Sequence, residues 1–97
     1  MALEFEWDPR KERSNLRKHR VGFAEATSAF PGPLARIFTD EDHSSVENRE
    51  ILIGHSNARR LLVICFTESA SGRIRIISAR KATRSEQLAY EEDIAGN

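Results

Sequence analysis

Apolar positions in this chain fall into short clusters, and the period within the clusters changes along the sequence. Leu3 to Trp7 alternates weakly and holds Phe5 and Trp7, which predicts a short strand. Asp8-Pro9 then starts a helix. The aspartate can cap the first turn, and proline at the first helical position removes no donor the helix needs. This helix runs to about His19, with Leu16 as its only large apolar residue, so burial holds it weakly. Glu12, Asn15, Leu16 and His19 share one face, so docking of the helix places Asn15 and His19 near the contact. Val21-Gly22 interrupts the pattern. Phe23, Ala26, Thr27 and Phe30 return at helical spacing and end at Pro31-Gly32-Pro33.

Beyond residue 33 the period becomes that of strands. Leu34 to Thr39 alternates, and Asp40 to Asn48 is a polar, acidic loop. Arg49 to His55 is a strand, and residues 56–59 form a hairpin loop. Arg60 to Thr67 is apolar on both faces and is the natural central strand. Residues 69–72 make a second hairpin loop before the strand Arg73 to Ala79. Leu62, Ile64, Phe66, Ile74 and Ile76 form the predicted core. Thr83-Arg84-Ser85-Glu86 fits a capping box. The helix it opens reaches about Ile94, anchored by Leu88, Tyr90 and Ile94. The order β-α-α-β-β-β-β-α predicts an α+β fold, an antiparallel meander flanked by helices, as one domain over residues 1–97.

Composition narrows the class. Of 97 residues, 39% are apolar and 31% charged, as in a soluble globular domain. Cys65 is the one cysteine and lies in an apolar run, so it reads as core, with no internal disulfide and no zinc-type spacing. No apolar stretch approaches the roughly 20 residues of a membrane helix. The acidic start MALEFEWD lacks the features of a signal peptide, which makes the cytoplasm the expected compartment.

The formal net charge is zero, but it is unevenly spread. Residues 1–20 carry six basic and four acidic side chains, and residues 21–48 carry one basic and five acidic. Between 73 and 84 stand Arg73, Arg75, Arg80, Lys81 and Arg84 with no acid among them. Such a strip can hold phosphate in a neutral protein, because salt screens the field within about 10 Å. A solvated strand face beside an acidic loop fits the same charges.

Several separated motifs carry a resemblance. FEWDPRK with Asn15 and Lys18-His19, the helix FAEA, Arg49, IGH, RLLVICFTE and RIRIISARKATRSEQLAYE together resemble the BrnT family of toxins, over Phe5 to about Glu91. Two positions depart from the family pattern. Arg20 stands where glycine is usual after the Lys-His pair, which leaves Gly22 to end the helix, and Val46-Glu47-Asn48-Arg49 replaces an acidic-Gly-Glu-Glu-Arg stretch. The resemblance implies a RelE-like fold and a ribonuclease that stops translation. It also implies a BrnA-like ribbon-helix-helix antitoxin, with operator DNA reached only through the toxin–antitoxin complex.

Metal-free RNA cleavage needs a base for the attacking 2′-hydroxyl, an acid for the departing 5′-oxygen, and cations on the phosphate. His19 is the first acid or base candidate, its alternative being a histidine on the helix dipole. His55 is a weaker second, and His43 reads as surface. Glu68 is a base or pairs with Arg73 or Arg75 across the hairpin. Arg73 and Arg75 share a face suited to forked phosphate binding. Arg80 has the parity of Ile74 and Ile76, so a regular strand points it to the helix-covered side. There it is either a positioned catalytic donor or the partner of an acid such as Glu86. Tyr90 stacks on a base or anchors its helix. The catalytic set is therefore His19, Glu68, Arg75, Arg80 and Tyr90, with Lys18, Arg49, Arg73 and Lys81 on RNA. No metal or other cofactor is expected, since Asp40, Glu41 and Asp42 diverge on an extended chain. The partner is expected to cover the basic strip. A non-catalytic module that docks protein or RNA through that strip is the competing reading. A repressor in its own right lacks a recognition helix.

Overall fold

The computed structural model describes residues 3–40 and 48–96. Most of the predicted acidic loop, with Glu41, Asp42, His43 and Glu47, lies outside them. The elements are β1 (Phe5–Glu6), α1 (Pro9–His19), α2 (Phe23–Thr27), β2 (Arg36–Thr39), β3 (Arg49–His55), β4 (Leu61–Glu68), β5 (Ile74–Lys81) and α3 (Arg84–Ala95). They form one five-stranded sheet in the order β1-β5-β4-β3-β2.

Strands β2 to β5 pair antiparallel with their chain neighbours. β1 adds to the far side of β5 in parallel, Phe5 opposite Ile74 and Glu6 opposite Arg75. The sheet is therefore mixed, which corrects the expectation of a purely antiparallel one. A strand that precedes two helices has no hairpin to fix its direction, so local sequence carries no sign of this pairing.

The helix starts follow their sequence signals. Asp8 accepts from the Arg10 N–H at 2.8 Å with Pro9 next in line. Thr83 and Glu86 complete a reciprocal capping box. The end of α1 is a correction. Arg20 itself takes the left-handed conformation, φ 60°, and its N–H bonds the Leu16 carbonyl at 3.0 Å. Gly22 has φ −86° and opens α2 instead.

The core lies between one sheet face and α1 and α2. Leu62, Ile64, Phe66, Ile74 and Ile76 are all buried there, beside Val21, Phe23, Ala26, Ala29, Leu52 and Ala79. Phe5, Phe30 and Phe66 stack edge to face with ring centroids 5.0 Å apart. Gly54 marks where the sheet meets the 29–35 loop, since a Cβ there would stand 3.1 Å from that of Ala35.

A bulge changes the outer half of β5. Phe66 opposes Ile76 while Cys65 opposes Ser78, so Ile77 is the extra residue. Its consequence is a flip of parity: Ala79, not Ser78 or Arg80, rejoins the buried face, and Arg80 stands opposite Val63 on the other. The expectation that Arg80 shares the Ile74–Ile76 side is thereby corrected. The second sheet face is roofed by α3, of which only Tyr90 is buried.

Candidate nucleic-acid interface

The basic strip is largely neutralised by acids from elsewhere in the fold. Parallel pairing of β1 brings Glu4 and Glu6 alongside it. Arg73 meets Glu4 at 3.4 Å and Glu6 at 3.8 Å, and Arg75 meets Glu6 at 3.3 Å. Glu68 ends β4 on the exposed surface and is partner to neither, which corrects the expected hairpin pairing.

Arg80 is held more firmly. Its two terminal nitrogens donate to the two oxygens of Glu86 at 2.7 and 2.8 Å, the bidentate geometry a guanidinium favours. Glu86 also accepts from the Thr83 N–H at 2.8 Å. The guanidinium above all, with that backbone donor, holds the Glu86 carboxyl at about 2, against 4.5 ordinarily. The pair ties the start of α3 to β5.

Two further contacts pin the same helix. Arg36 donates to Asp93 at 2.9 Å, and the Tyr90 hydroxyl donates to the Leu34 carbonyl at 2.9 Å. Burial pushes the Tyr90 phenol up, and its ring packs 5.8 Å from that of His55. Beneath α3 lies a groove of ≈ 410 Å³, floored by Phe38, Ile51, Ile53 and Val63 and closed by those polar pins. Arg80 and Tyr90 thus sit in helix anchorage, the one through both terminal guanidinium nitrogens and the other through its hydroxyl.

On the opposite side of the sheet, α1 is docked by an amide. Beyond the two residues of β1, the outer edge of β5 has no strand partner among the described residues. Asn15 fills that gap as a one-residue strand would. Its Nδ2 donates to the Ala79 carbonyl at 2.7 Å and the Val21 carbonyl at 2.8 Å, while the Ala79 N–H donates to Oδ1 at 3.1 Å. Asn15 is buried, and Leu16 beside it is largely exposed. The bulge leaves a cleft of ≈ 190 Å³ between helix and strand, walled by Lys11, Ser14, Asn15, Lys18 and His19 on α1 and by Ile77 and Ser78 on β5. Among the described residues, no acid lines it. Glu12, the one acid of α1, is turned away, accepting from the Phe23 N–H at 2.9 Å. Among the described residues, Lys11, Arg13, Arg17 and Lys18 form no ion pair.

Seven of the nine predicted site residues therefore separate into three places. His19 and Lys18 share the α1 cleft. Arg80 and Tyr90 stand under α3. Arg73 and Arg75 lie along the β1 edge, with Glu68 at the neighbouring strand end. Arg49 opens β3 opposite Thr67, half-buried, and Lys81 ends β5 exposed. Lys11, Ser14 and Ser78 were missed. Lys11, Ser14 and Lys18 follow at helical spacing on the Asn15 face, a signal legible in the sequence. Ser78 joins them only through the bulge.

No group of three or more His, Cys, Asp or Glu is placed to hold a metal ion among the described residues, and no helix there is long and apolar enough to cross a membrane.

A family model described as ribonuclease toxin, BrnT, of type II toxin-antitoxin system matches residues 7–86. Among solved structures, the 1.1 Å crystal structure of the Brucella abortus ribonuclease toxin BrnT is similar to this chain with a TM-score of 0.66 and 24% identity, covering 86% of this chain and 100% of that one. At that identity the likeness concerns the fold. No curated protein sequence matches.

Proposed function

The chain belongs to the BrnT family, ribonuclease toxins of type II toxin–antitoxin systems, and from that membership we propose that it cleaves RNA without a metal ion, using the cleft between α1 and the bulge of β5. One observation carries the reading: His19 stands with Lys11 and Lys18 around a single cleft that has no acidic wall. RNA is a polyanion, and its phosphates settle where cations are not already matched by carboxylates. His19 exchanges the proton, as base toward the 2′-hydroxyl or as acid toward the departing 5′-oxygen. Lys11 and Lys18 stabilise charge on the five-coordinate phosphate, with the hydroxyls of Ser14 and Ser78 as further donors. Arg73 and Arg75 stay matched by Glu4 and Glu6 and lie outside the RNA contacts. Arg80 and Tyr90 hold α3 in place.

Inhibition requires only that a partner close this cleft. A BrnA-like ribbon-helix-helix antitoxin does so, and operator DNA is bound through that antitoxin rather than through this chain.

The test is cleavage of RNA by the purified chain in chelator. Wild-type cleavage persists, and His19→Ala loses on the order of a hundredfold or more in rate with an unchanged melting temperature. A fully active His19→Ala, or activity lost in chelator and restored by magnesium, overturns the proposal. Tight RNA binding without cleavage favours a non-catalytic binding module instead.

A further inference from the structure

The two edges of the sheet are finished differently. At one, β1 covers the first residues of β5 and Asn15 covers Ala79. At the other, β2 has nothing beside it among the described residues. The Asp40 N–H donates to the Arg49 carbonyl at 2.9 Å, which fixes the phase of the ladder. Phe38 and Arg36 therefore bond toward β3, whereas the backbone groups of Ile37 and Thr39 point outward. Ile37 and Phe38, which face opposite sides of the sheet, are 55% and 51% exposed. Exposed large apolar side chains on both faces of an open edge mark a pairing surface.

We propose that β2 is a dimerisation edge, pairing antiparallel with β2 of a second copy of this chain about a two-fold axis at Phe38. The sequence Arg36-Ile37-Phe38-Thr39-Asp40 is complementary to itself in that register. Ile37 of each copy exchanges two backbone hydrogen bonds with Thr39 of the other, so both open rungs are filled. Phe38 meets Phe38 across the axis. Arg36 of each copy stands opposite Asp40 of the other, an opposite-charge pair made twice. A two-fold axis at Ile37 instead would recruit Ala35, whose N–H is already bonded to the Gly32 carbonyl at 3.2 Å. Arg36 already meets Asp93 at 2.9 Å, so in the dimer its guanidinium bridges two carboxylates. The joined sheets carry ten strands, and each α1 cleft faces away at an outer edge. This reading is independent of the nuclease assignment.

Sedimentation velocity over a concentration series of the full chain tests it. The wild type shifts from one-chain to two-chain mass as concentration rises. Thr39→Pro deletes an outward N–H without touching the β3 ladder, and with Phe38→Lys it keeps the single-chain mass. Asp40→Arg sets two cations opposite each other and weakens the dimer roughly tenfold, and the double change R36D/D40R restores it. Melting curves confirm that each variant is folded. A wild type that is monomeric throughout, or a dimer indifferent to Thr39→Pro and Phe38→Lys, overturns the proposal. So does a monomeric wild type whose antitoxin binding is lost in Thr39→Pro, which assigns the edge to that partner.

Discussion

Helix α1 and the strip from Arg73 to Arg84 are the two most basic stretches of the chain, and the fold treats them in opposite ways. In the strip, Arg73, Arg75 and Arg80 are each matched by a carboxylate from another element. In α1, Arg10 pairs with Asp8, while Lys11, Arg13, Arg17 and Lys18 have no acidic partner among the described residues. The difference teaches that local charge along a sequence is a poor guide to field at a surface. The acids that neutralise Arg73 and Arg75 come from 69 residues away, through a parallel pairing.

The two regions also differ in what attaches them. α1 depends chiefly on one buried amide, and α3 on ion pairs at its rim together with the Tyr90 hydroxyl. Asn15→Ala leaves the buried N–H and carbonyl of Ala79 without partners, so it should cost about 3 kcal/mol and produce a large fall in melting temperature. Asn15→Asp should do nearly as much harm, since a carboxylate cannot donate to the Ala79 and Val21 carbonyls.

Breaking the Arg80–Glu86 pair should be milder. Both side chains are more than a third exposed or close to it, so solvent screening limits the loss to about 1 kcal/mol for Arg80→Ala. The sign with pH is defined. Glu86 titrates near 2 in the folded chain against 4.5 ordinarily. Its contribution is therefore complete above about pH 4.5 and disappears as pH falls toward 2. Arg80→Ala should flatten that acid limb in melting curves measured between pH 2 and 5, and cleavage per folded molecule at neutral pH should stay near wild type.

How far the sequence discloses these regions differs element by element. Asp8-Pro9, the Thr83–Glu86 box and the five core positions of β4 and β5 are local signals, and each appears where its chemistry places it. Arg80 shows where local reading stops. Counting alternation from Ile74 assumes a regular strand, and the extra residue Ile77 reverses every side chain after it. The adjacent Ile76-Ile77 pair breaks the Arg-Ile alternation and is the available hint. The strand β1 was legible, but its parallel pairing with β5 escaped for another reason, because a parallel partner is chosen by non-local packing. The position of His19 near the α1 contact was legible because helix spacing puts it on the Asn15 face.

The smallest effect concerns the end of α1. Arg20 sits at φ 60°, a conformation that is unfavourable for residues with a Cβ. Arg20→Gly should raise stability by a few tenths to about 1 kcal/mol, read as a modest rise in melting temperature. Its carbonyl, which accepts from Arg60 at 3.1 Å, is retained.

The most direct test of the α1 assignment is the salt dependence of RNA binding by two double variants. For single-stranded RNA each phosphate contact contributes about 0.7 to the slope of log affinity against log salt. Lys11→Ala/Lys18→Ala should reduce that slope by about 1.4 and abolish cleavage, while Arg73→Gln/Arg75→Gln leaves the slope unchanged. The reverse outcome, a slope that falls only when Arg73 and Arg75 are replaced, would return the RNA to the strip and contradict the account.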